Sequence, residues 1–247
     1  MGKSVIIIPS RLGAKRLPNK PLLEINNIPI IIHAVNRAKE SKIGEVFVAT
    51  PDKEIFDLVK RNSGKVILTE NDHATGTDRV FEAYKKIDNK EIDLVINLQG
   101  DMPNIESNNI SKLNKLMRET GSKIGTLAAK ISKKDELKNP NIVKTKTKES
   151  LNNNNFLQAE DFFRIQNLEK KNENIYHHLG IYAFTTNILE KFVHLERSKN
   201  EIDRNLEQLR ALDSGIQINV ALTSSAPLSI DTQEDFEKIK LLMNLKK

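Results

Sequence analysis

Val5–Leu23, VIIIPSRLGAKRLPNKPLL, is the stretch from which the rest of the chain can be read. The apolar run Val5–Ile8 stops at Pro9, the pattern of a short strand buried on both faces. Ser10, Arg11, Gly13, Lys15, Arg16 and Lys20 follow, in a segment broken again by Pro18 and Pro21. Such a segment is a stiff, positive loop at the carboxyl end of a strand. In open α/β sheets ligands bind at that end. Backbone N–H groups with Lys and Arg side chains suit an anion there, above all a polyphosphate. The plainer alternative is a solvated basic loop, since lysine is abundant throughout. The loop is neither a Walker A sequence, lacking its Gly-Lys-Ser/Thr ending, nor a G-x-G-x-x-G fingerprint.

Outward from this loop, helical and extended patterns alternate. Pro29–Lys39 places Ile31, Ile32, Ala34, Val35 and Ala38 at helical spacing. Glu45–Thr50 reads as a strand, Lys53–Asn62 as a helix burying Ile55, Phe56, Leu58 and Val59, and Lys65–Leu68 as a third strand. The polar loop Glu70–Arg79 enters a helix around Val80–Ile87, with Thr77 or Thr75 as N-cap. Glu91–Leu98 is a strongly apolar strand, Ser107–Thr120 a helix, and Ile124–Ile131 and Val143–Thr147 further strands. Tyr176–Phe184 returns as a strand. Thr186–His194 and about Asp203–Leu212 read as helices, and Ile216–Leu222 as a strand. The closing helix Gln233–Leu245 turns Phe236, Ile239, Leu242 and Met243 to the core. This rhythm indicates right-handed βαβ units in a mostly parallel, Rossmann-like α/β sheet. The Lys/Asn-rich region Lys133–Asn174 is expected to leave the sheet as a β-ribbon with exposed loops and a turn at Asn152–Asn155.

The chain has 247 residues, enough for one α/β domain with a small appendage. No apolar run is long enough to span a membrane, and the first is too short for a signal peptide. The absence of cysteine excludes disulfides, thiolate metal sites and a cysteine nucleophile. A cytoplasmic protein is expected. The formal charge of +6 raises nucleic-acid binding, but no basic stripe with interleaved aromatics accompanies it, so none is expected.

Two carboxylates point to chemistry. Asp101, in Gln99-Gly100-Asp101 at the end of the Glu91–Leu98 strand, is placed to reach a hydrated magnesium ion or to make an ordinary turn. Asp231 follows the Ile216–Leu222 strand and either shares that metal or caps the last helix. His73 is expected to hydrogen-bond structurally. Of His177 and His178 only one can face a given pocket, because adjacent strand residues point to opposite faces. Arg210 belongs either to a site or to a solvated helix face.

PSRLGAKRLPNKPL resembles the signature loop of sugar-nucleotide cytidylyltransferases, most closely the 3-deoxy-manno-octulosonate (Kdo) cytidylyltransferase, or CMP-Kdo synthetase, family. DHATGTDR at Asp72–Arg79, NLQGDMP at Asn97–Pro103, HLGIYAF at His178–Phe184, LEQLR at Leu206–Arg210 and SIDTQEDF at Ser229–Phe236 agree in order and spacing. The resemblance implies a fold of the nucleotide-diphospho-sugar transferase type, one domain over 1–247 with a β-rich dimerisation excursion at about 133–185. It implies the reaction CTP + Kdo → CMP-Kdo + diphosphate, for lipopolysaccharide biosynthesis, in a homodimer. Lys20, Arg11 and Asp101 would then be catalytic. Ser10, Arg11, Arg16, Lys20, Thr75, Gly76, Thr77, Arg79 and Gln99 would bind nucleotide. Gln99, His178, Glu207 and Gln208 would bind the acceptor, with His177 structural. Asp101 and Asp231 would hold Mg2+. Two positions depart from the family pattern: Met102 stands where glutamate is common, and Gln158 where an arginine follows an aromatic. Arg164 is the nearest arginine that an irregular loop over Asn152–Arg164 could deliver instead. A cytidylyltransferase for 8-amino-Kdo or a nonulosonic acid, or a non-catalytic nucleotide-binding regulator, are the alternatives.

Overall fold

A computed structural model describes residues 2–13, 16–132, 134–165 and 174–245; Lys15, and 133 and 166–173 of the expected excursion, lie outside them. The chain forms two compact units, residues 1–111 with 227–247, and residues 112–226.

The first unit is built on β1 (Lys3–Pro9), whose Val5, Ile6, Ile7 and Ile8 are completely buried. A tight 3-10 turn, Lys20–Leu22, follows the basic loop. Next comes the hairpin of β2 (Glu24–Ile25) and β3 (Ile28–Pro29), which the periodicity did not suggest. Asn26 and Asn27 at its tip both have positive φ, 54° and 60°, as a two-residue type I′ turn demands. Then α1 (Ile30–Glu40) buries its five expected apolar residues and Ile30. It is followed by β4 (Gly44–Thr50), α2 (Lys53–Arg61), β5 (Lys65–Leu68), α3 (Gly76–Ile87), β6 (Ile92–Asn97) and the opening residues of α4 (Ser107–Thr120). In this unit the main strand order is β5-β4-β1-β6, paired in parallel throughout, and only the separate β2–β3 hairpin is antiparallel. That is the α/β arrangement expected from the alternating pattern. A Cβ on Gly44 would lie 1.9 Å from the Ser4 carbonyl oxygen, so only glycine lets β4 start against β1.

In the second unit, β7 (Ile124–Lys130) precedes α5 (Lys134–Lys138), β8 (Lys144–Thr147), β9 (Phe156–Phe163) and β10 (Ile175–Thr185). Then come α6 (Thr186–Val193), α7 (Lys199–Arg204), α8 (Leu209–Asp213) and β11 (Ile218–Thr223). Strands β7 and β11 are parallel; β10 and β9 run antiparallel on their outer sides, and β8 is antiparallel to β9 and β10. Two expectations are corrected here. Most of Asn152–Arg164 is not irregular loop: only the Asn152–Asn155 turn is, and Phe156–Phe163 is a strand. Nor is Asp203–Leu212 one helix. Asn205 takes a left-handed conformation, φ 51°, which ends α7 and leaves Glu207 and Gln208 in the turn before α8.

The chain closes in the first unit with α9 (Gln233–Asn244). Phe236 and Ile239 pack with Leu17, Ile25, Ile30 and Ile230, and Met243 lies against this cluster. Leu242 is 44% exposed, contrary to expectation, as is its neighbour Leu241 at 65%.

Candidate active site

The carboxyl ends of β1 and β6 and the amino end of α3 line a cleft of ≈ 320 Å³. Ser10, Arg11, Lys20, Thr75, Gly76, Arg79, Gln99 and Asp101 line it, with His73. These are eight of the residues expected to bind nucleotide or metal. The loop that carries the cations is pinned at its start. Ser10 N–H donates to the Ala49 carbonyl at 2.9 Å, and Leu12 N–H to Asp52 Oδ2 at 2.8 Å. Arg11 is exposed and makes no hydrogen bond among the described residues. Arg79 is 3% exposed and committed to the chain itself. It donates to Thr69 Oγ1 at 2.5 Å, to the Glu70 carbonyl at 2.7 Å and to the Asn71 carbonyl at 3.3 Å. Burial, then the nearby Arg11 charge, pulls its pKa below the ordinary value. Its place in the cleft wall is therefore that of a structural clamp on residues 69–71.

At the start of α3 the N-cap is Thr75. Its hydroxyl accepts from Asp78 N–H while Asp78 accepts from Thr75 N–H, a reciprocal capping box. Thr77 is buried beneath the cleft. There its hydroxyl meets Asn97 Nδ2 at 3.1 Å, and Asn97 Oδ1 meets Gln99 Nε2 at 3.2 Å. Asn97 escaped the sequence reading because an asparagine at a strand end carries no distinctive pattern. His73 has the expected structural role, with Nε2 2.5 Å from Glu82 Oε2.

At the cleft's other side, segments far apart in sequence converge on one ammonium. Lys20 Nζ donates to Asp101 Oδ2 and to the Ile230 carbonyl, both at 2.7 Å, and lies 3.5 Å from Asp231 Oδ1. Arg16 is half exposed and outside the cleft lining; its Nη2 lies 3.2 Å from the same Asp231 oxygen. Asp231 is not the cap of α9. That role falls to Thr232, in a second capping box with Asp235. The carboxylate of Asp231 is thus left for Lys20 and Arg16. The two carboxylates and a carbonyl form an all-oxygen, doubly anionic set already gathered around a cation, a donor chemistry that fits Mg2+. Met102, next to Asp101, is buried.

The remaining expected residues belong to the second unit. His178 is buried, its ring 5.0 Å from that of Phe162 and 5.3 Å from that of Tyr182. Gly180, φ 72°, stands in the register shift that brings His178 and Tyr182 together. Thr126 gives its one hydroxyl proton to the Ile181 carbonyl at 2.6 Å, so it accepts from His178 Nε2–H at 2.9 Å. Burial, then His177, pushes its pKa down to about 3, so the imidazole is neutral and its Nδ1 an acceptor. His177 points instead to Glu136, 3.4 Å away, in keeping with the opposite faces of a strand. Gln208 is buried. Tyr182, absent from the expected set, has its hydroxyl buried without a hydrogen-bond partner among the described residues. Burial, then the charge of Glu207, raises its pKa well above the ordinary value. Its spacing from His178 on one strand was the available signal. Arg210 is neither a solvated residue nor a cleft residue: it is 2% exposed and holds Glu201 with two bonds of 2.8 Å. Gln158 is exposed in the middle of β9, in register with Asn219, and Arg164 donates to the Pro140 and Asn141 carbonyls at 3.1 and 3.4 Å.

Comparison with known proteins agrees with this geometry. Residues 5–218 match the model of the cytidylyltransferase family. A 3-deoxy-manno-octulosonate cytidylyltransferase of Brucella canis is 39% identical over 96% of this chain and 94% of its own length. Its counterpart in Brucella anthropi is 38% identical over 98% and 96%. A solved structure of CMP:2-keto-3-deoxy-manno-octonic acid synthetase complexed with CTP superposes with a TM-score of 0.88 at 36% identity, covering 99% of this chain and 100% of that one. With most of its length matched in each comparison, the chain belongs to the cytidylyltransferase family.

Proposed function

We propose that this protein activates Kdo by the reaction CTP + Kdo → CMP-Kdo + diphosphate. The observation that carries the reading is the convergence of Lys20, Asp101 and Asp231 at one edge of a cation-bearing cleft, in a chain so similar to enzymes of that name. The anomeric hydroxyl oxygen of the sugar bonds to the α-phosphorus of CTP. The bond from that phosphorus to the β-phosphate's bridging oxygen breaks, diphosphate leaves, and the hydroxyl proton is released. Such a transfer depends chiefly on positioning and on stabilising charge. Arg11, Arg16 and Lys20 hold the triphosphate, Lys20 being assigned to the charge that develops at the α-phosphate. The Thr75–Gly76 start of α3, with Gln99, faces the nucleoside. Asp101 and Asp231 would hold Mg2+, which when bound screens the phosphates and aligns the attacking oxygen.

His178, Tyr182, Glu207 and Gln208 are assigned to the sugar acid. The orphaned Tyr182 hydroxyl supports this, because a buried hydroxyl needs a partner and a polyhydroxylated acid supplies one. Gln158 stands where the resembled family carries an arginine, and Arg164 is engaged with two carbonyls, so the acceptor's carboxylate has no obvious guanidinium in this segment. An 8-amino-Kdo or nonulosonic acid carries the same carboxylate, so this feature alone does not choose between them and Kdo. The test is diphosphate release with CTP and Mg2+ against Kdo, 8-amino-Kdo and a nonulosonic acid. Kdo is expected to give the highest kcat/KM. A higher value for another acid would move the assignment to it, and no release with any would indicate a nucleotide-binding regulator.

A further inference from the structure

Lys20 Nζ donates to two oxygens of the metal-fitting set and lies at ion-pair distance from a third. In the structure Lys20 Nζ stands between Asp101, Asp231 and the Ile230 carbonyl, where a metal bound by both carboxylates would also have to stand. We propose that Lys20 is an internal counter-cation of the carboxylate pair, and that nucleotide and divalent metal bind interdependently because each needs the ammonium to move. The inference rests on assigning Asp101 and Asp231 to metal.

A carboxylate pair without a counter-charge is costly in a partly buried site, and one ammonium relieves that cost in the free protein. The same ammonium repels a divalent cation at hydrogen-bonding distance from the same oxygens, so metal alone binds poorly. A triphosphate offers the ammonium other anionic oxygens. Once Lys20 turns to them, the carboxylates again need a cation, and the metal meets that need. Reciprocity follows: metal must raise nucleotide affinity by the factor by which nucleotide raises metal affinity.

The carboxylates do not depend on Lys20 for their place. Ile230 N–H donates to the Asp101 carbonyl at 3.1 Å, tying the two segments through their backbones. Asp231 N–H and Thr232 N–H both donate to Asp235 Oδ2, at 3.2 and 2.9 Å, and Ile230 is fully buried in the apolar cluster under α9. Removing the ammonium therefore leaves the oxygen pair in position, with Asp101 uncovered and Asp231 facing Arg16 alone.

The experiment is Mn2+ binding to the full chain, followed by electron paramagnetic resonance without nucleotide or sugar. Lys20→Met is expected to bind Mn2+ at least about tenfold more tightly than the unsubstituted protein. Lys20→Arg, which keeps the charge, is expected to bind no more tightly. Adding Asp231→Asn to Lys20→Met should remove the gain. Lys20→Gln serves in place of Lys20→Met should the latter fail to fold, as judged by circular dichroism. Unchanged or weaker Mn2+ binding in the folded neutral variant overturns the proposal. If Asp231→Asn nonetheless weakens Mn2+ binding in the otherwise unsubstituted protein, only the counter-cation role has failed. If it changes nothing, the metal assignment has failed with it. Turnover enters none of these measurements, so the choice of acceptor is not at stake in them.

Discussion

Arg79 commits its guanidinium to Thr69, Glu70 and Asn71, whereas its neighbour Arg11 stands exposed at the cleft with no such engagement. Two arginines of one motif-rich region thus predict opposite phenotypes. Arg11→Ala should fold normally and lose CTP affinity by about 1.5–3 kcal/mol, the usual worth of a charge-assisted contact. Isothermal calorimetry showing unchanged affinity would remove Arg11 from the triphosphate site. Arg79→Ala should instead lower the unfolding midpoint, since three acceptors lose their donor, the buried Thr69 hydroxyl among them. His178 carries a different signature. Its pKa is about 3 in the folded chain and about 6.5 when unfolded. Below pH 6.5 the unfolded chain takes up a proton that the folded chain refuses, so stability falls as pH drops from about 6.5 toward about 3. The slope is about 1.4 kcal/mol per pH unit for one such group. His177, lowered chiefly by burial against the opposing pull of Glu136, adds in the same direction. Urea unfolding of His178→Gln between pH 6.5 and 4.5 should show a shallower dependence than the parent. An unchanged slope would mean that His178 titrates alike in both states.

At the level of elements, α7 and α8 are joined by a buried ion pair that the polar sequence around them conceals. Glu201 is 1% exposed. Burial alone would raise its pKa, but the bonds from Arg210 and Arg197 outweigh that and lower it. Arg210→Met leaves the buried carboxylate with Arg197 alone and should cost about 3–5 kcal/mol, measured by urea unfolding. Replacing both members by Glu201→Leu and Arg210→Met should recover most of it; a double variant as unstable as the single one would show that Arg210 acts through its packing on Phe192 instead. This pair also marks where the sequence stops being legible. LEQLR reads as one helix face, and only the backbone turn at Asn205 separates its Glu207 and Gln208 from α7. The parallel strands could be read because each is an apolar run ended by a turn residue. In contrast β9, FLQAEDFF, carries Gln158 and Glu160 exposed and Asp161 half-buried, and the strand disappears among lysines and asparagines.

On the scale of the whole molecule, the cleft cations could be read because they crowd into one short loop. The meeting of Asp101 with Asp231 could not, because nothing local in the sequence brings the start of α9 to the tip of β6. Only the folded chain does so. The assembly state is of this second kind, and the resemblance to the Kdo cytidylyltransferase family supplies the expectation of a homodimer joined partly through 133–174. In the second unit this region is the antiparallel β8–β9 pair, and Ile165, just past β9, is 61% exposed. A large aliphatic side chain so exposed at the end of an edge pair is a place for a second copy to cover, because burying it in a partner removes apolar area from water. Light scattering at micromolar concentration should therefore give twice the mass of the 247-residue chain. Ile165→Asp should shift the equilibrium toward monomer without lowering the unfolding midpoint measured at the lowest usable concentration. A monomer mass at tens of micromolar defeats the dimer outright. A dimer untouched by Ile165→Asp would keep the assembly and move its interface off this end of β9.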